Sequence, residues 1–380
     1  MQDSDMLKGN IHLTLLMGPV VPVPVPKPVV DALTKVEVTA AAGEPGGFQL
    51  TFTFSAKGPL STLLMLLGQV GPFIRTVVVA TVNGVPHVLA DGMVVNHQLS
   101  PNVQTGLSTF VVTGSDLTSV MSYFDFTGIP YPCMPAEARV ALILAKYAVL
   151  GIVPLVIPSL FMDVPIPVSR IPVHQGKDLD YINELAREVG YVFYIEPGPA
   201  PGMNIAYWGP EIKVGIPQPA LNINMDAHTN VETLNFSFDG SHKAIPIVFI
   251  QNEETRAPIP IPIPDISPLN PPLGIIPPIP VNFPVMHNTA HLNPIQAVAL
   301  GLAEASRTSD AVTGTGSLDV VRYGRILKAR GLVGVRGAGE AFDGLYFVKK
   351  VTHKIEKGKY KQDFTLTRNG LLSTVPLVPS

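Results

Sequence analysis

Length, composition and charge set the outer limits of what this chain can be. Its 380 residues suffice for two or three domains with cores of their own, and its formal net charge of -3 gives no indication of nucleic-acid binding. The single cysteine, Cys133, excludes an internal disulfide and a multi-cysteine metal site. Charged residues make up only 14% of the chain, against roughly 25% in ordinary soluble domains. Much of the surface is therefore expected to be covered by partners.

The first 35 residues are interpreted as a proline-rich N-terminal arm. The alternating valines and prolines of residues 21–28 predict an extended backbone, because proline interrupts helices and pushes the preceding residue toward extended conformations. Two interpretations stay open for this arm, a lead-in to the first strand or a strap on a neighbouring subunit. No signal peptide is expected, since the first residues lack a basic segment and the apolar run 11–17 soon meets prolines.

Residues 36–126 are predicted to form a first β-barrel domain. Leu50, Phe52 and Phe54 alternate with polar residues, which is typical of a strand with one buried face. Asn83-Gly84 joins two β-rich runs and is the strongest short signal for a hairpin. The other elements predicted here are an apolar insertion over 60–71, strands over 76–82, 85–89, 93–99 and 107–114, and a helical turn over 115–124.

Residues 127–228 are predicted to be a mixed α/β insert. Pro135 suits the first turn of a helix over 136–150. The apolar stretch 142–162 could span a bilayer by length, but its prolines favour a buried helix followed by an extended apolar loop. A membrane span and a docking surface for a partner protein are the alternatives.

A second helix of this insert is predicted over 177–190. Its apolar residues recur at helical spacing, Asp178 is placed to cap the first turn, and Gly190 can take the left-handed conformation that ends a helix. A strand is predicted directly after it, over 191–196, and Trp208 is expected to anchor a small core.

Residues 229–372 are predicted to be a second β-barrel domain, with residues 373–380 as a tail. Its proline-rich insertion, 257–285, cannot be helix or central strand and is predicted to be an ordered loop on a protein surface. A ligand for an SH3-type domain is the alternative. The other predicted elements are a strand with alternating Leu234, Phe236 and Phe238, a strand over 245–251, a helix over 294–307 capped by Asn293, and a closing hairpin over 348–355 and 360–366.

One internal echo favours a duplication. Residues 91–95, Asp-Gly-Met-Val-Val, recur as residues 343–347, Asp-Gly-Leu-Tyr-Phe. Gly106 and Gly358 each lie fourteen positions after the glycine of their Asp-Gly motif. Phe110 and Thr113 correspond to Phe364 and Thr367 with an offset of two residues relative to the glycine pairs. The echo predicts two related β domains, one on each side of the insert.

The sequence predicts no catalytic, cofactor or metal site, and hence no enzyme. His287 and His291 have helical i, i+4 spacing but lie in a loop-like stretch with no acid between them. Cys133 lacks a base partner and is interpreted as an inert thiol. The remaining polar candidates are interpreted as caps or solvated faces: Asp178, Asp180, Glu184, Glu188, and the lysines at 349, 350, 354, 357, 359 and 361, which form a hairpin face or a positive rim.

Two motifs carry a family resemblance. The helix D-L-D-Y-I-N-E-L-A-R-E-V-G at 178–190, followed by Y-V-F-Y-I, resembles the phage late-control protein D family and the hub half of type VI spike proteins. The segment Y-F-V-K-K-V-T-H-K-I at 346–355, with G-K-Y at 358–360 and F-T-L at 364–366, resembles the closing hairpin of that family. The resemblance covers roughly residues 36–372 and departs in the apolar proline-rich stretches 20–30, 151–173 and 257–285.

The resemblance implies a mainly β fold in which two tube-like β-barrel domains flank a mixed α/β segment. It implies a structural baseplate hub of a contractile injection machine, a homotrimer between a hexameric inner tube and a separate trimeric spike. Other baseplate components and a tape-measure protein are further implied partners, with no cofactor and no nucleic acid. Such a particle would be assembled in the bacterial cytoplasm. The alternatives are a particle-borne cell-wall hydrolase and a membrane-associated β-rich structural protein.

Overall fold

The structure is a computed structural model with all side chains. It describes residues 11–55, 73–102, 104, 106–159, 164–165, 171–241, 243–251, 258–264, 270–286, 294–375 and 378. The predicted insertion over 60–71, the cap at Asn293, and His287 and His291 lie outside these residues.

The fold is mainly β with a few short helices, as predicted. The strands are β1 (Ile11–Gly18), β2 (Val23–Pro24), β3 (Leu33–Ala41), β4 (Glu44–Ser55), β5 (Arg75–Val82), β6 (Val85–Asn102), β7 (Leu107–Asp116), β8 (Ile152–Val156), β9 (Val192–Pro197), β10 (Asn204–Gly209), β11 (Gln218–Asn222), β12 (Val231–Phe238), β13 (Ile247–Gln251), β14 (Pro258–Pro262), β15 (Gly274–Ile276), β16 (Val312–Asp319), β17 (Leu332–Arg336), β18 (Gly344–Glu356), β19 (Lys359–Arg368) and β20 (Leu371–Ser373). The helices are α1 (Lys27–Ala32), α2 (Ala136–Ala145), α3 (Asp178–Glu188), α4 (Pro294–Arg307) and α5 (Val320–Tyr323), with 3-10 turns at Leu117–Ser122, Ala148–Leu150 and Asp226–His228.

One large sheet organises the described chain. Eleven of its thirteen strands run in the order β12-β16-β19-β18-β3-β4-β7-β6-β5-β1-β2, and the other two are β17, which pairs with β18, and β11, which pairs with β17. One face of this sheet carries the main apolar core, in which Leu50, Phe52 and Phe110 are completely buried. The alternation of apolar and polar residues along β4 and β7 sets which face is buried, since successive side chains of a strand point to opposite sides.

Both predicted hairpins are present. Asn83 and Gly84 connect β5 to β6 with φ of 52° and 81°, the left-handed pair that a tight type I′ turn requires. Lys357 and Gly358 form a two-residue loop between β18 and β19, since Glu356 pairs directly with Lys359.

The predicted N-terminal arm is wrong for residues 11–33. Strand β1 pairs along its whole length with β5, and Ile11, Leu13, Leu15 and Met17 point into the main core. Residues 27–32 form α1 although they contain proline, because Pro28 lies in the first turn, where a missing N–H removes no helical hydrogen bond.

Strand β6 is longer than predicted. The sequence favoured two strands, 85–89 and 93–99, separated at Asp91-Gly92, but β6 continues through this dipeptide to Asn102. A Cβ on Gly92 would lie 2.0 Å from the carbonyl oxygen of Ser115. The glycine therefore permits close approach of β7 instead of ending the strand.

The mixed insert is built on a small sheet in the order β8-β10-β9. Trp208 on β10 is fully buried and anchors a second core, as predicted. In the described part of the apolar stretch after α2, residues 152–156 form strand β8, where a loop was predicted. It follows Gly151, whose φ of 71° closes the preceding 3-10 turn. Within the described ranges, no helix combines the length and apolarity needed to span a bilayer.

Asp178 was predicted to cap α3, and this is wrong. The side chain makes no cap hydrogen bond and is completely buried. It instead accepts hydrogen bonds from Lys146 Nζ at 2.8 Å and Tyr147 Oη at 2.6 Å. The carboxylate stands where it could cap the helix, but its oxygens are bound by side chains from another part of the chain. Gly190 does take the predicted left-handed conformation, with φ of 72°.

A buried ion pair ties the small sheet to the large one. Arg75 donates from Nε to Asp91 Oδ1 and from Nη2 to Asp91 Oδ2, both at 2.7 Å, and both side chains are almost completely buried. Asn204 Nδ2 at the start of β10 donates to the same carboxylate at 2.8 Å. Arg75 also donates to the carbonyl of Gly202 at 3.2 Å. Strands β5 and β6 therefore hold β10 through one charged cluster.

The proline-rich insertion lies at sheet edges. In the described residues, β14 pairs only with β13 and β15 pairs only with β20. Pro260 and Pro262 alternate with isoleucines in β14, so the positions without an N–H all face one side of the strand. The prediction that this segment is neither helix nor central strand is confirmed for the described part.

We expect His353 to make the fold sensitive to acid. The imidazole is buried in the hairpin, its Nδ1 lies 2.8 Å from Tyr360 Oη, and desolvation lowers the pKa of His353 to about 4. Because the folded-state pKa lies below the unfolded value of about 6.5, the stabilising contribution is complete above pH 6.5. It is lost as the pH falls toward 4, by about 3 kcal/mol.

The measurement is the free energy of unfolding between pH 7.5 and 4, for the wild-type chain and for His353→Gln. The variant removes this titration, so we expect a smaller acid-induced loss of stability. Identical pH profiles for the two proteins would contradict the assignment.

Candidate assembly surfaces

Two groups of five strands pair in the same order. The first group is paired as β3-β4-β7-β6-β5, and the second as β12-β16-β19-β18-β17. The strands of each group also follow one another in the same sequence along the chain, and every pairing is antiparallel. The described chain therefore contains an internal structural repeat, in accord with the predicted duplication.

Irregularities in the strands fix the register of this repeat. The β3–β4 pairing skips Thr34, and the β12–β16 pairing skips Glu232. The β6–β7 pairing skips Val95, and the β18–β19 pairing skips Lys349. Such bulges are specific features of a strand pair. Their recurrence makes Thr34 equivalent to Glu232 and Val95 equivalent to Lys349.

A pair of backbone hydrogen bonds supports the same register. Val94 N donates to Ile74 O at 2.9 Å, and Val348 N donates to Gly331 O at 2.8 Å. The sequence similarity aligns Gly92 with Gly344. The structural register makes Gly92 equivalent to Tyr346, which differs by two residues. The Asp-Gly echo itself is thus not the structural match, although the repeat that it predicted is present.

The two repeats meet at one junction within the chain, where β3 pairs with β18. Val38 faces His353, Thr39 faces Thr352 and Glu37 faces Lys354. The hydroxyls of Thr39 and Thr352 lie 3.2 Å apart across this junction. Two related repeats are thereby joined side by side in one sheet.

Each repeat leaves one further edge. In the first repeat, residues 96–100 of β6 pair with β7 on one side and with no described strand on the other. In the second repeat, the outer edge of β12 is likewise without a described partner strand. These edges are the equivalents of the two that meet at the β3–β18 junction, because β6 corresponds to β18 and β12 corresponds to β3.

Apolar side chains flank both edges on the core side of the sheet. Leu99 on β6 is 41% exposed and Phe238 on β12 is 44% exposed. Phe236 on β12 is half-buried and stacks on Phe342, with ring centroids 5.1 Å apart. Exposed apolar residues beside an unpaired edge are typical of a surface that another chain covers.

The opposite face of the sheet is rich in hydroxyl groups. Thr51 and Thr109 point outward on the neighbouring strands β4 and β7, and Thr315 and Thr365 do so on the neighbouring strands β16 and β19. The predicted lysine cluster also lies on or beside this face. Lys361 pairs with Glu232 at 2.7 Å, and Lys354 pairs with Asp363. The cluster is therefore an exposed hairpin face balanced by acids.

The other polar candidates of the sequence lie at exposed positions. Cys133 is exposed with φ of 57°, and Asp180, Glu184 and Glu188 are exposed on α3. Among the residues that the structure describes, no three His, Cys, Asp or Glu side chains gather as metal ligands. What sequence reasoning missed is the two strand edges, because an edge is defined by the order of strands and leaves no local signal.

The fold of the chain is similar to that of solved tail proteins. The tail protein from Neisseria meningitidis MC58 has a TM-score of 0.62 at 11% identity, covering 95% of this chain and 98% of that one. The 43 kDa tail protein of prophage MuSo2 from Shewanella oneidensis has a TM-score of 0.59 at 13% identity, covering 94% and 98%.

A third similar structure comes from a secretion system. The E. coli c3393 protein, a component of the type VI secretion system with structural similarity to the T4 tail proteins gp27 and gp5, has a TM-score of 0.55 at 11% identity, covering 91% of this chain and 77% of that one. No protein-family model matches the sequence, and no curated protein matches it. The chain has the fold of phage tail proteins and of this type VI secretion component.

Proposed function

We propose that this protein is the structural hub of a contractile injection machine, a homotrimer that joins a hexameric inner tube to a trimeric spike. Its predicted domains, residues 36–126, 127–228 and 229–372, would then be two ring-forming domains around an insert. The work of such a hub is mechanical, and the proposal includes no enzymatic activity. Other baseplate components and a tape-measure protein are the remaining proposed partners.

The β3–β18 junction is the observation that carries the proposal. The same pairing, applied to the two remaining edges, joins β12 of one copy to residues 96–100 of β6 in the next. The two edges differ from each other, so the contact is head-to-tail and forms a ring if the rotation closes. Three copies with two repeats each would place six repeats around one axis. Such a ring matches a six-fold tube on one side and a three-fold spike on the other.

The side chains on both faces of the sheet are compatible with pairing between β12 of one copy and β6 of the next. Transferred to the contact between copies, the repeat register would set Leu99 opposite Phe236 and His97 opposite Phe238, on the core side. It would set Gln98 opposite Ser237 on the hydroxyl-rich side, where the internal junction has Thr352 opposite Thr39. Cross-strand pairs of this kind stabilise a sheet and fix its register. Pro101 donates no N–H, so the pairing is expected to run from Asn96 to Ser100.

A pair of engineered cysteines tests the register directly. We expect Gln98→Cys with Ser237→Cys, in a Cys133→Ser background, to form disulfides between copies and to give a covalent trimer under oxidising conditions. The equivalent hydroxyls of Thr39 and Thr352 are 3.2 Å apart within the chain, which is close enough for a disulfide between cysteines at these positions. Non-reducing gels and light scattering measure the product.

The matched control is Thr39→Cys with Thr352→Cys in the same background. This pair is expected to form a disulfide inside each chain and to leave the covalent species monomeric. A Gln98–Ser237 cysteine pair that stays reduced would overturn the proposed pairing. Covalent chains that extend beyond three copies would retain the pairing and overturn the trimer. The proposed junction with the tube is tested by adding the tube protein of the same particle, which the trimer should bind and a monomeric edge variant should not.

A further inference from the structure

The described part of the proline-rich insertion exposes a run of apolar side chains. Residues 275–285, the proline-rich strap, contain no charged residue. Its exposed large apolar residues are Ile275 at 60%, Ile276 at 51%, Ile279 at 82%, Val281 at 60%, Phe283 at 56% and Val285 at 45%. Four prolines restrict the backbone of the strap, so its ordering on a partner costs little conformational entropy. A surface of this kind is typical of a protein contact.

The strap lies at the end of edge strand β12. A Cβ on Gly240 would lie 3.6 Å from Cβ of Pro278. Asn282 Nδ2 donates to Ser241 O at 3.1 Å, and Ile245 N donates to Asn282 O at 2.9 Å. Since Glu232 is equivalent to Thr34, Gly240 is equivalent to Ala42 in the first repeat. The first repeat has only a tight turn at this place, whereas the second has the whole insertion.

The internal junction shows what the end of β3 contacts. Ala42 N donates to Lys349 O at 2.8 Å, and Arg330 Nη2 donates to Ala41 O at 2.7 Å. The turn after β3 is thus held by Lys349 and Arg330, which lie across the junction. Their equivalents in the first repeat are the residues that the turn after β12 would meet in the next copy.

These equivalents are apolar. Val95 is the equivalent of Lys349, and Phe73 is the equivalent of Arg330, because Ile74 corresponds to Gly331. Val95 is 64% exposed and Phe73 is 41% exposed. Two charged positions at the internal junction are therefore replaced by exposed apolar residues at the free edge, opposite the place where the apolar strap leaves β12.

We propose that the proline-rich strap of one copy covers Phe73 and Val95 of the next copy, and this proposal rests on the proposed ring. The strap would act as a clasp beside the β12–β6 pairing. Ile276 and Ile279 are the exposed apolar residues nearest to Pro278, the strap residue that lies at the end of β12. The partner is a second copy of this chain because only the head-to-tail repeat brings β12 and its strap to this pair of residues. Apolar burial on both sides, without charge, is the chemistry of a stable subunit contact.

Photo-crosslinking tests the contact. Val95 is replaced by p-benzoylphenylalanine, the protein is irradiated, and the crosslinked peptides are identified by mass spectrometry in a mixture of isotopically light and heavy chains. We expect crosslinks from position 95 to residues 275–285 of another copy. The matched control carries the same probe at Lys349 and is expected to crosslink to Ala42 or Gly43 of its own chain.

Trimers that crosslink from position 95 to other parts of the chain would overturn the strap contact and leave the ring intact. A chain that stays monomeric in the cysteine experiment would overturn the ring and the strap together. As a second measurement without a bulky probe, Ile279→Asp is compared with Ile216→Asp, a site that is 95% exposed and outside the strap. We expect the strap variant to raise the dissociation constant of the trimer by about tenfold or more and the control to leave it unchanged. Equal constants for the two variants would overturn the proposal.

Discussion

Replacing Asp91 by alanine is expected to lower the free energy of unfolding by about 3–5 kcal/mol, since it leaves the buried charge of Arg75 without its partner. The carboxylate accepts two hydrogen bonds from Arg75 at 2.7 Å and one from Asn204 at 2.8 Å, and none of these groups can reach water instead. The same cluster holds β10 to the large sheet. We therefore expect the small sheet of the insert to separate from the large sheet in the variant.

Chemical denaturation measures this loss, and two variants calibrate it. Asp363→Ala removes the exposed pair with Lys354, whose side chains are 45% and 42% exposed, and is expected to cost no more than about 1 kcal/mol. Arg75→Met with Asp91→Leu replaces the buried pair by apolar groups and is expected to recover much of the stability. A loss for Asp91→Ala as small as that for Asp363→Ala would show that the cluster does not hold the two sheets together.

Placing a lysine at Leu99 is expected to prevent assembly while leaving the fold intact. Leu99 is 41% exposed in the single chain, so the fold accommodates a charge there. In the proposed ring it is buried against Phe236, where a charge without a partner is costly. We expect the dissociation constant of the trimer to rise by at least about a hundredfold, which corresponds to about 2.7 kcal/mol.

Light scattering measures the assembly, and the unfolding transition verifies the fold. Val85→Lys is the matched control, because Val85 lies on the same strand, is 54% exposed, and is distant from the proposed contact. A Leu99→Lys chain that still forms trimers at the wild-type concentration would contradict the β12–β6 pairing.

Local sequence signals predicted the elements that depend on a few neighbouring residues. Asn83-Gly84 required a tight turn, and residues 294–307 were predicted as a helix with the bounds that α4 has. The strand after α3 and the buried Trp208 followed from composition and alternation. These features depend on backbone propensity and on one buried face, which a short window of sequence contains.

The features that failed depend on tertiary partners. Residues 11–17 were predicted to belong to the N-terminal arm, and only their pairing with β5 shows that β1 is a full member of the sheet. Asp178 fits a helix cap until Lys146 and Tyr147 occupy its oxygens. The assembly edges could not be located at all, because they follow from which strands lie last in the order of the sheet.

The β3–β18 junction also has a consequence for how the chain folds. Thr39 and Thr352, which meet there, are 313 positions apart. Contacts so distant in sequence form late, because a very long loop must close before they contribute any stability. During synthesis, the edge of β3 therefore stays open until the final hairpin has emerged from the ribosome. In that interval the finished β6 edge of another copy, which resembles β18, is a competing partner for β3. Crowded refolding is thus expected to trap swapped oligomers, whereas dilute refolding or slow synthesis would favour the correct chain.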